Sequence, residues 1–197
     1  MEYIDGEPLT TYCDRMRLNT RERLRLFQPV CHAVQHAHQK GIVHRDLKPS
    51  NILICLYDGK PIPKVIDFGL AKALSEESES VTVEEQVMGT LQFMAPEQTL
   101  PACRDQVGPA SDVYSLGATL FSLLTGQPPF RGESPLETIR MAVDKDPVAP
   151  RKLRAGIPID LETICLKCLQ KHPVRRYQSA RELADDLQAF LSHNPIR

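Results

Sequence analysis

Three short polar clusters carry the residue types that could do chemistry. They are His44-Arg45-Asp46-Leu47-Lys48-Pro49-Ser50-Asn51, Asp67-Phe68-Gly69 and Ala95-Pro96-Glu97. An aspartate, an asparagine five residues later and a second aspartate beyond a turn supply hard oxygen ligands of the kind Mg²⁺ takes, leaving coordination positions for phosphate and water. The plainer alternative is a set of solvated loop residues with an Asp cap. Two further groupings are weaker. Cys165-x-x-Cys168 followed by His172 holds part of a zinc ligand set, but a structural site needs four ligands and no second cysteine pair lies at finger spacing, so core packing explains it more simply. His32 and His36 stand one turn apart without the glutamate of a metalloprotease helix and read as surface histidines.

The elements that must hold these clusters are legible from periodicity. Leu24, Phe27, Cys31, Val34 and His38 recur at three- and four-residue spacing between Thr20 and Gly41, which predicts an amphipathic helix. Pro29 lies inside it, at a cost of roughly 3 kcal/mol, and predicts a kink. Ile52-Leu53-Ile54 and Lys64-Val65-Ile66 flank the turn signal Asp58-Gly59 and predict a small hairpin between the first two clusters. From Ser75 to Glu85 the chain carries five glutamates and no apolar face, so it reads as a surface loop. Val113 to Leu124 is apolar on all sides, the pattern of a helix at the centre of a core. Ser134-Pro135-Leu136-Glu137 and Ser179-Ala180-Arg181-Glu182 are capping boxes opening two more helices, with apolar residues at Leu136, Ile139, Val143 and at Leu183, Leu187, Phe190.

At 197 residues with 42% apolar content, the chain is one domain with enough side chain for a core. With 24 Lys+Arg against 25 Asp+Glu, nothing clusters positive charge for nucleic acid or an anionic membrane. The Val113–Leu124 stretch is interrupted by Ser115, Thr119 and Ser122 and is too short to span a bilayer. Glu2, Asp5 and Glu7 stand where a secretory signal would be basic. Six irregularly spaced cysteines read as reduced thiols, so the segment is expected to be cytoplasmic and free of membrane contact, with room for an anchor elsewhere in a longer protein.

In order and spacing the three clusters resemble the catalytic loop, the DFG turn and the end of the activation segment of a protein kinase, with 31 residues from Asp67 to Glu97. The resemblance covers nearly the whole chain. It implies a mainly α fold, the large C-terminal lobe, as a helical bundle with a small β-hairpin. It also implies a partial kinase domain over residues 1–193, a tail over 194–197 and an absent N-terminal β-lobe. It implies Asp46 as base, Lys48 as the phosphate-side cation and Asn51 and Asp67 as Mg²⁺ ligands. ATP then meets Glu2, Ile4 and Leu53 as well as Asn51 and Asp67. Lys48 and Thr90 resemble the serine/threonine branch, so the expected partner is a protein bearing Ser or Thr. Arg45 would meet a phosphate at Thr82 or Ser80; the alternative is an unmodified loop whose glutamates already neutralise it.

Other motif residues are structural by the same resemblance: Glu97 pairs with Arg176, Asp112 holds the catalytic-loop backbone, and His44 and Phe68 join an apolar spine. The stretch from Leu161 to Ala180 resembles bacterial kinases of the eukaryotic type. Residues 1–9 resemble the hinge between lobes, and the sequence holds no glycine-rich phosphate loop and no Val-Ala-Ile-Lys lysine. The chain alone is therefore expected to be a poor catalyst, lacking the small lobe of a full-length protein. Leu53, Phe68 and the hinge are then expected to form an exposed apolar patch. The alternative is a non-catalytic, pseudokinase-like interaction module that docks through the Ser134–Lys145 helix.

Overall fold

The computed structural model describes residues 5–68 and 89–196. Glu2, Ile4, Ser80, Thr82 and the acidic loop fall outside the described residues. Strand β1 (Glu7–Pro8) leads directly into α1 (Leu9–Arg15) and α2 (Thr20–Gln39). After the segment 40–51 come β2 (Ile52–Tyr57) and β3 (Lys60–Val65). The remainder is helical: α3 (Pro96–Thr99), α4 (Pro109–Thr125), α5 (Pro135–Asp144), α6 (Pro150–Leu153), α7 (Ile159–Cys168) and α8 (Ala180–Leu191).

The expected hairpin is there, closed by Asp58 and Gly59, both at positive φ (49° and 72°), the signature of a type I′ turn. It gains a third strand: β1 pairs antiparallel with β2, Glu7 opposite Ile54 and Pro8 opposite Leu53, giving the order β1-β2-β3. Two paired residues are too short a signal to read from alternation. On the outer strand β3, Pro61 and Pro63 stand opposite Leu56 and Ile54. The ladder keeps its bonds only if both occupy non-bonded positions, with their nitrogens turned away from β2.

Helix α2 starts with a complete capping box that the periodicity alone does not reveal: Glu22 N–H donates to Asn19 Oδ1 at 3.1 Å and Asn19 N–H to the Glu22 carboxylate at 2.8 Å. It runs continuously through Pro29, which is exposed, and the carbonyl that loses its partner, that of Arg25, also belongs to an exposed residue and can turn to water. The two serine boxes are half as expected. Ser134 and Ser179 accept from the N3 amides of Glu137 and Glu182, each at 3.2 Å, but the glutamates reach one residue further back, to Glu133 N–H and Gln178 N–H. Helix α8 buries Leu183, Ala184 and Leu187. Helix α5 uses its periodic face only in part: Thr138 and Ala142 are buried and Ile139 and Val143 half-buried, while Leu136 is 58% exposed.

Helix α4 is the centre of the core, buried from Ser111 to Leu124 and closed by Gly126 in the left-handed conformation. It packs against α2, α6, α7 and α8. Its tightest approach is at Gly117, where a Cβ would lie 2.3 Å from Cys168 Cβ on α7. Cys31, Cys165 and Cys168 are fully buried, burial pushes their thiols up, and His172 is exposed, so they pack the core. Among the described residues no group of three His, Cys, Asp or Glu side chains could hold a metal ion, and no helix is long and apolar enough to cross a membrane. Leu53 and Phe68 are half-buried rather than fully exposed, and the first four residues of the hinge part of the expected patch lie outside the described residues. Exposed large apolar side chains gather instead on the hairpin at Leu56, Tyr57 and Ile62.

Gly117→Ala forces backbone and Cβ contact between α4 and α7. The overpacking outweighs the better helix propensity of alanine, and urea unfolding is expected to show a loss of about 1–3 kcal/mol.

Candidate active site

Between α2 and β2 the chain forms no strand or α-helix until the 3₁₀ turn Pro49–Asn51, so its backbone polar groups must find other partners. The buried Asp112 carboxylate, in the first turn of α4, takes two of them: His44 N–H on Oδ2 and Arg45 N–H on Oδ1, each at 2.8 Å. Arg45 stands at φ 66°, a left-handed conformation that a non-glycine residue keeps only where its surroundings fix it. The Arg45 side chain is exposed.

Asp46, Lys48 and Asn51 are brought together by direct bonds. Asn51 Nδ2 donates to the Asp46 carbonyl at 2.8 Å and to Asp46 Oδ2 at 3.3 Å. That fixes the amide orientation and leaves Oδ1 as the Asn51 atom suited to a cation. Lys48 Nζ lies 3.3 Å from Asp46 Oδ2 and donates to Thr90 Oγ1 at 2.7 Å, linking the 44–51 segment to the later part of the 67–97 stretch. Asp67 is placed by β3: Ile52 pairs with Val65, and Ile66 N–H donates to the Asn51 carbonyl at 2.9 Å. Asp67 is exposed and at φ 58°.

His44 bridges the two segments. Its Nδ1 accepts from Asp46 N–H at 3.3 Å, which requires Nε2 to carry the proton it donates to the Ile66 carbonyl at 2.9 Å. Its ring lies 4.8 Å from that of Phe68, tilted by 49°. Leu53, on β2, lies half-buried opposite Pro8.

Beneath the site, Glu97 and Arg176 form a buried bidentate pair at 2.7 and 2.8 Å. Arg176 also donates to the carbonyls of Gln170, Ala110 and Lys171, so all five of its N–H groups have acceptors, and Ser111 Oγ donates to Glu97. Burial alone would raise the Glu97 carboxyl; the guanidinium and the serine hydroxyl outweigh it and hold the group below its usual value.

One participant is missing from the motif-based reading. His38, placed by periodicity on the apolar face of α2, donates through Nε2 to Asp112 Oδ2 at 2.7 Å, so the carboxylate that holds the loop is itself oriented by α2. Its position on an otherwise apolar face was the only signal.

The chain is similar to known proteins over nearly its whole length. Residues 1–187 match the family described as protein kinase domain. The chain belongs to the protein kinase family. It is 42% identical over 188 residues to the serine/threonine-protein kinase PknB of Mycobacterium tuberculosis, covering 95% of this chain and 29% of that kinase. Against PknB of Mycobacterium leprae it is 41% identical over 197 residues, 99% of this chain and 30% of the other. A probable serine/threonine-protein kinase of Streptomyces coelicolor is 39% identical over 197 residues, with 100% and 28% covered. The chain thus spans under a third of the length of these kinases.

Because the Glu97 carboxyl is lowered in the native protein from an ordinary 4.5, its stabilisation is complete above that pH and disappears as pH falls through the lowered value. Glu97→Gln, which leaves the buried guanidinium without its charge partner, is expected to lose about 3–5 kcal/mol near neutral pH. Denaturant titrations at several pH values should show that gap constant above pH 4.5 and closing below it.

Proposed function

We propose that the full-length protein containing this chain transfers the γ-phosphoryl group of ATP to serine or threonine hydroxyls of a protein substrate. The observation that carries this reading is the direct bonding of Asp46, Lys48, Asn51 and Thr90 into one cluster beside Asp67. In that reading Asp46 orients the acceptor hydroxyl and takes its proton. Lys48, fixed between Asp46 and Thr90, places positive charge where the transferred group gains negative charge. Asn51 Oδ1 and the Asp67 carboxylate fit the few hard oxygen ligands that a protein contributes to Mg²⁺. Bound there, the ion would neutralise charge on the phosphate oxygens.

Leu53 would contact adenine from β2, with Glu2 and Ile4 contributing from the hinge. The glycine-rich loop and the lysine of a small lobe, which the 197 residues do not contain, would come from the same full-length chain. The even charge balance gives no basis for a nucleic-acid partner, and the irregularly spaced cysteines, read as reduced thiols, support a cytoplasmic domain.

In the full-length protein, Asp46→Asn is expected to lower kcat by about 100- to 10,000-fold, the usual worth of a positioned base, with nucleotide affinity largely kept. Phosphate transfer to a generic basic protein and equilibrium binding of a labelled ATP analogue would measure both, and undiminished transfer would refute the assignment. Residues 1–197 expressed alone should show no transfer above background in the same assay, whereas transfer at the full-length rate would show that no small lobe is needed.

A further inference from the structure

The peptide group joining Arg45 to Asp46 is held on both sides by side chains. Its N–H donates to His44 Nδ1 at 3.3 Å. Its carbonyl accepts from Gln98 Nε2 at 2.8 Å, across 53 residues of sequence. Gln98 Oε1 in turn accepts from Ala95 N–H at 3.1 Å. A carbonyl can only accept and a backbone N–H only donate, so these two bonds permit one orientation of the Gln98 amide and use both its ends. The peptide it holds follows the left-handed Arg45, whose N–H is already fixed by Asp112, and the Asp46 carbonyl beyond is fixed by Asn51. Gln98 is the one member of this set that comes from the segment where the 67–97 stretch rejoins the core.

We propose that Gln98 is a positioning residue for phosphoryl transfer, its amide clamping the peptide that carries Asp46 and coupling the aim of that carboxylate to the seating of the Ala95–Thr99 segment. The catalytic half of this inference rests on the reading of Asp46 as base. The clamp itself does not. Small displacements of a reacting group are costly: a misplacement near 1 Å can lower a rate by about 100-fold. A single hydrogen bond reaching from the activation-segment anchor to the base's own peptide is placed to control one.

Two substitutions separate the clamp from the helix cap. Gln98→Glu keeps an acceptor for Ala95 N–H but has no donor for the Arg45 carbonyl. Gln98→Met loses both. In the full-length protein, Gln98→Glu is expected to speed hydrogen exchange at the Asp46 amide at least about tenfold and to lower kcat by about 10- to 100-fold, with the KM for ATP and the unfolding temperature little changed. Gln98→Met should share the kinetic loss and add a fall in unfolding temperature from the lost cap. Unchanged exchange at Asp46 in both variants overturns the clamp whatever the activity. Raised exchange with wild-type kcat overturns its part in catalysis. Parallel losses of kcat and unfolding temperature in both variants reduce Gln98 to a cap and overturn the proposal too. An active Asp46→Asn protein removes the base and with it the catalytic half, while exchange at Asp46 still decides the clamp.

Discussion

The buried carboxylate of Asp112 is the interaction on which the site depends. Among the described residues the segment from His44 to Lys48 lies in no strand or helix, and a backbone outside regular structure would be free to take many conformations without side-chain anchors. Asp112 converts it into a fixed object by accepting two consecutive amides and a histidine side chain from α2. The carboxylate stands in the first turn of α4, where the partial positive charge of the helix end favours it, and α4 is buried from Ser111 to Leu124. The loop therefore inherits the rigidity of the core.

The second anchor works by the same logic at a different place. Glu97 and Arg176 join α3, the start of α4 and the turn after α7, and every donor of the guanidinium is used. Its face lies 5.0 Å from the Tyr114 ring, whose hydroxyl burial pushes up. Next to it Lys171 donates to the Ala142 carbonyl and sits over Phe130 at 4.3 Å, tying α5 to the same region. Burial pushes that amine down to about 8, with Asp146 opposing the shift. A site whose loops are few in bonds of their own is thus braced from below by helices.

Much of this was legible in the sequence where one residue type has one structural use. Asp58-Gly59 specified its turn, the all-round apolar run specified the central helix, and the clusters around Asp46, Asp67 and Glu97 specified which loops meet. What stayed hidden depends on contacts between distant segments. His38 repeats with the apolar residues of α2 because it is buried, and nothing local shows that its partner is Asp112. Helix α5 turns Thr138 and Ala142 furthest inward, where Thr138 Oγ1 accepts Gly132 N–H, and leaves Ile139 and Val143 half-buried. The glutamates of the two serine boxes chose the amide before the cap, a choice made by the incoming chain. Gln98 follows a motif that ends at Glu97, and its role appears only when Arg45 is seen beside it.

The two prolines of β3 bear on how the hairpin would meet another polypeptide. A sheet's outer strand ordinarily invites a neighbouring polypeptide to dock along it, and here Leu56, Tyr57 and Ile62 would make such an encounter adhesive. Since Pro61 and Pro63 deprive that rim of two successive donors, an arriving segment finds greasy side chains but no continuous row of amides with which to zip. The hairpin can remain partly apolar without becoming a seed for intermolecular cross-strand assembly.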